Sequence, residues 1–183
     1  MDKPRSLLWT FLSDRSGLAA TEFALVLPVM LAGWLGMAQL SQMSVASTKA
    51  MMAAQSVGDL MSQEPSLSGN FTDLVLAASQ VLSPLPTTSS VLTVDVVSIS
   101  FNSSNVPQLG WRCTTGSGGD TTAQMNAAIA TATGLGTSGQ SVIMVTVTYS
   151  YTPTITGGII GTQTFVQRSF NKPRLALLIP QPC

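Results

Sequence analysis

The sequence predicts an α+β protein in which one long N-terminal helix, half membrane segment and half periplasmic continuation, carries a small antiparallel-sheet head of three to four strands and short helices. Three observations predict it. Residues 18 to 40 are an apolar run of about 23 residues, interrupted by a single carboxylate, Glu22. Helix-forming composition then continues to Pro65, the first hard stop. Beyond it, apolar and polar residues alternate in 91–101 and in 141–152, the period of strands.

Composition narrows the function classes. Of 183 residues only 9% are charged and 45% are hydrophobic, and the 8 basic and 8 acidic side chains cancel. That balance leaves no basic footprint for nucleic acid. The chain has no histidine, so histidine triads and histidine metal sites are excluded. With few carboxylates in the head (Asp73, Asp95, Asp120) to serve as acid or base, no enzyme, cofactor or metal is expected. Its length fits one domain plus an extension.

The first 17 residues set Lys3, Arg5 and Arg15 against Asp2 and Asp14. An excess of basic residues ahead of the first apolar run holds this leader in the cytoplasm and sends the downstream chain across the membrane. A signal-peptide n-region has the same look. From residue 18 to 40 the run is long enough, at 1.5 Å per residue, to cross a hydrocarbon core of about 30 Å. Pro28 falls inside it, removes one backbone donor and is expected to loosen or kink the helix. Gly33 and Gly36 offer small faces to another helix.

Residues 41–63 are expected to continue the same helix, with Met43, Val45, Met52, Val57, Leu60 and Met61 as a rough apolar stripe. A break near Ser41 and a separate amphipathic helix is the alternative. Residues 64–183 form the head. Residues 71–82 read as a short helix and 91–101 as a half-buried strand, while 102–119 read as loop. Asp120 is the expected N-cap of a helix that Gly134 and Gly136 end. The strand at 141–152 pairs back with 162–170, and RLALLIP is a further short strand in this reading. The GSGGD stretch, 116–120, reads as a turn, and Arg168, Lys172 and Arg174 as a solvated edge.

The segment SGLAATEFALVLPVMLAGWLGMAQL combines four features of a class III processing motif. A basic leader precedes it, Gly17 stands at the cut, Glu22 is fifth in a product beginning at Leu18, and about 20 apolar residues follow. Glycine suits an intramembrane aspartyl peptidase, which needs an extended, unhindered backbone at the bond it cuts. A carboxylate near the bilayer core costs roughly 2.5 to 3.5 kcal/mol on insertion scales and calls for a named partner. The new α-amine of Leu18, one turn away at i−4, is such a partner, on the same chain or a neighbour. A glutamate that only marks the membrane edge is the plainer alternative.

At these residues the sequence resembles the type IV pilin superfamily, and more narrowly the TadE/TadG-like pseudopilins of tight-adherence pili. GLAATEFALVLPVML carries the resemblance, with Phe23 following Glu22 and Leu27 preceding Pro28; VTVTYSYTP and NKPRLALLIP extend it loosely. The resemblance implies that Gly17 and Leu18 flank the scissile bond and that Glu22, with Phe23 beside it, is the assembly residue. The implied partners are a prepilin peptidase, other pilins or pseudopilins and the inner-membrane assembly machinery. The implied location is the bacterial inner membrane, N-terminus cytoplasmic and head periplasmic, or the pilus outside the cell. Major pilins of this class are much shorter and lack a large head, so a minor pilin or pseudopilin is the closer likeness.

Two readings of smaller elements stay open. Cys113 and Cys183 are too few and too far apart for a zinc site, and outside the cytoplasm a disulfide between them is favoured over two free thiols. A signal-anchored or secreted adhesin-like module, cut near Ala38 so that the mature chain begins at Gln39, is the rival to pilin processing. Glu22 weighs against it, because a carboxylate is unfavourable in a signal-peptide core.

Overall fold

The structure, a computed structural model, describes residues 17–63, 71–153 and 160–175. The basic leader before Gly17, residues 64–70 with the whole of PSLSGN, residues 154–159 of the β3–β4 connection, most of RLALLIP and Cys183 lie outside the described residues. Two compact units make up the chain, Met1–Ser41 and Gln42–Cys183.

Helix α1 runs from Leu18 to Gln63 without a break in its assignment, and Pro28 lies inside it. It is followed by α2 (Phe71–Leu82), β1 (Leu92–Phe101), β2 (Pro107–Thr115), α3 (Thr122–Ala130), β3 (Ser141–Tyr151) and β4 (Gln163–Asn171). The strands form one sheet in the order β2-β1-β3-β4, and every neighbouring pair is antiparallel. The α+β class, the long helix and the sheet head are therefore as the sequence predicts.

The sheet is covered on both faces. On one, the second half of α1 packs Ala46, Ala50, Ala53, Ala54, Val57 and Met61 against Val94, Val96, Ile143, Val145, Val147 and Tyr149, with Leu74, Ala78 and Leu82 of α2 beside them. On the other, Met125, Ala128 and Ile129 of α3 cover Val97, Ile99, Phe101, Val142 and Met144. This double cover explains why β1 is buried almost throughout rather than half-buried as its alternation predicts.

The buried stripe of α1 differs from the expected one. Positions 46, 50, 53, 54, 57 and 61 keep the helical period, but four of the six are alanine, whereas Val45, Met52 and Leu60 are exposed. Small side chains let the helix lie close to the sheet. At Gly58 there is no room for a larger side chain, since a Cβ would collide with Asn171 Oδ1 and come within 3.3 Å of Ser169 Oγ.

Two contacts fasten the ends. Lys49 Nζ of α1 donates to the carbonyl of Ser83, just past the C-terminus of α2, where a cation suits the helix dipole. After β4, the Arg174 N–H donates to the Ser62 carbonyl at 2.8 Å, satisfying one of the acceptors that the end of α1 leaves open. Arg174 also pairs with Asp59 at 2.8 Å on the surface.

Three local expectations need correction. The 102–119 segment contains strand β2, whose register shifts at Gly110 opposite Ser98 and Ile99. Gly110 fits there because a Cβ would sit 3.0 Å from the Ser98 carbonyl. The N-cap of α3 is Thr121, not Asp120: its hydroxyl accepts from the Gln124 N–H and the Gln124 side chain accepts from the Thr121 N–H, a capping box. Of the basic edge, Lys172 and Arg174 are exposed as expected, but Arg168 is drawn in by the buried carboxylate of Asp120.

Candidate functional site

The N-terminal unit is built from side chains that a water-soluble protein would bury. Between Glu22 and Lys49 the helix has no ionisable residue. Leu25, Val29, Trp34, Met37 and Leu40 are all more than 60% exposed within the chain, and they point to several sides of the helix. A helix apolar on most of its circumference belongs in a membrane or among other helices. By length and composition α1 is the one helix among the described residues able to cross a membrane, and its place near the N-terminus fits an anchor or a signal sequence.

Gly17 directly precedes α1, and a Cβ added there would meet nothing within 4 Å among the described residues. Among the described residues no packing contact requires glycine at this position. Glu22 is exposed in the second turn, with Phe23 next to it at 61% exposure. The i, i+4 spacing within α1 puts Glu22 one turn from Leu18, the residue that processing would make the N-terminus.

The head holds a different constellation, which the sequence reading did not identify. Thr114, Asp95, Thr146 and Arg168 form one directly paired row across all four strands, on the α3 face. Arg112 comes from the neighbouring row, opposite Val97. Its Nε donates to Asp95 Oδ1 at 2.9 Å and its Nη2 to Asp95 Oδ2 at 2.5 Å. The same Nη2 donates to the Asp120 carbonyl at 2.8 Å. Arg168 Nη2 donates to both carboxylate oxygens of Asp120 at 2.8 Å.

Both carboxylates are shut away from water, Asp95 with 2% and Asp120 with 4% of its side chain exposed, while the two arginines are about a quarter exposed or slightly more, at 25% and 30%. Each buried charge is thus matched, as burial requires. The hydrogen bond to Asp95 is the largest cause raising the Arg112 guanidinium above its ordinary value; partial burial opposes it, and the charges of Asp95 and Asp120 add to it. The glycine-rich turn closes over this network. Gly118 N–H donates to Thr93 Oγ1 at 2.9 Å, and a Cβ on Gly119 would lie 3.2 Å from Arg112 Nη2. Gly116 holds φ at +86°, and a Cβ there would stand 2.6 Å from the Leu92 carbonyl.

With every carboxylate oxygen already engaged by arginine, this constellation joins strands and turn rather than presenting a reactive group. Among the described residues no cluster of His, Cys, Asp or Glu could hold a metal ion. A lone aspartate inside the apolar strand LTVDVVSISF was the available signal, because it demands a cation from somewhere else in the fold. Cys113 is buried on β2 and is not a free thiol; its expected partner, Cys183, lies outside the described residues.

The chain matches no protein-family model, no curated protein and no solved structure. Its architecture, a long apolar N-terminal helix whose later part packs on a four-stranded antiparallel sheet, is consistent with a type IV pilin-like fold.

Proposed function

We propose that this chain is a minor pilin or pseudopilin of a tight-adherence type IV pilus. In this reading a prepilin peptidase cuts it between Gly17 and Leu18, and its N-terminal helix then enters a bundle with other pilins to initiate, tip or support a pilus used in adhesion and biofilm formation. The observation that carries the reading is Glu22: one exposed carboxylate, one turn after Leu18, in an apolar helix that has no other charge before Lys49 and whose later part is built into a folded head. A charge in that setting needs an amine, and cleavage at Leu18 supplies one. The glycine at position 17, which no packing contact among the described residues requires, supports the same site.

The remaining roles belong to the same reading. The protein sits in the bacterial inner membrane with its N-terminus in the cytoplasm and its head in the periplasm, in contact with the pilus assembly machinery, or outside the cell within the pilus. It performs no catalysis. Cys113 and Cys183 form a disulfide that closes a loop of about 70 residues, worth roughly 4 kcal/mol in the chain-entropy model. Alkylation of the unreduced protein, read by mass, is expected to label neither cysteine; labelling of both would remove the bridge.

The rival is a signal-anchored adhesin-like module cut near Ala38, since an apolar helix near the N-terminus also fits a signal sequence. That cut would fall inside α1, two turns before the first alanine buried against the sheet, and would discard Glu22. The two readings differ in the mature N-terminus, Leu18 or Gln39, which N-terminal sequencing of the protein from membranes and from sheared pili determines.

A further inference from the structure

We draw no further inference here: the strongest candidate, the open groove between the edge strand β2 and α3, lined by Val106, Pro107, Leu109, Ile129 and Ala130, carries nothing because nothing in the structure shows what covers it.

Discussion

Arg112 on β2 grips Asp95 on β1 through two nitrogens, Nε at 2.9 Å and Nη2 at 2.5 Å, and the carboxylate it grips has 2% of its surface exposed. Such a pair contributes little net stability against an apolar pair of similar volume, yet leaving one partner alone is costly. Arg112→Met, which strands the buried Asp95 carboxylate, is expected to destabilise the head by about 3 to 5 kcal/mol. Asp95→Val in the same chain should restore much of the loss. Chemical unfolding of the full chain in detergent checks both. A double variant no more stable than Arg112→Met alone would contradict the pairing.

Tyr149 gives the head a pH limit on the alkaline side. Its ring is fully buried, its hydroxyl donates to the Pro86 carbonyl at 3.2 Å, and burial, with a smaller contribution from Tyr151, raises its pKa above the usual 10. The folded protein therefore keeps this proton to higher pH than the unfolded chain. Its contribution is whole below about pH 10 and is lost as pH rises through the folded value. Tyr149→Phe should cost about 0.5 to 1.5 kcal/mol near neutrality for the lost hydrogen bond, and its stability should fall less between pH 9 and 11. Equal alkaline losses in both proteins, measured by urea unfolding, would remove Tyr149 as the cause.

Glu22 separates processing from assembly. The peptidase needs the backbone around Gly17, whereas a neighbouring subunit needs the charge. Glu22→Ala is therefore expected to be cut normally and yet to be missing from sheared pili. A misaligned neighbour leaves one charge unpaired at about 3 to 5 kcal/mol, enough to select register. Immunoblots of the membrane and pilus fractions measure it. Normal amounts of the variant in pili would end the pairing role.

Local signals made α1 and α2 legible down to their ends: Pro65 stops one helical pattern, and Pro84 follows the other. Strands β1 and β3 were legible from alternation, but their double burial was not. Period alone does not say whether a second layer covers the polar face, and here α3 does. Strand β2 was missed because PQLGWRCTT opens with proline, is interrupted by the bulge at Gly110 and lies at a sheet edge, so no clean alternation marks it. The same edge strand carries Arg112, and the network it builds joins residues far apart in sequence. The buried stripe of α1 was legible at Val57, Met61 and the partly buried Met43, but its alanines were missed because alanine hardly registers as hydrophobic, although packing on the sheet uses just such small side chains. At the N-terminus the reading is a local one, since Gly17, Leu18 and Glu22 lie within six consecutive residues.

The central claim is a cut between Gly17 and Leu18 that creates the amine Glu22 requires. Its most direct test is N-terminal sequencing of the protein isolated in parallel from membranes and from sheared pili. The expected result is a mature chain beginning Leu18-Ala19-Ala20-Thr21-Glu22 in the pilus fraction, with the uncut form confined to membranes. A mature chain beginning at Gln39, or an uncut Met1 in pili, would contradict it.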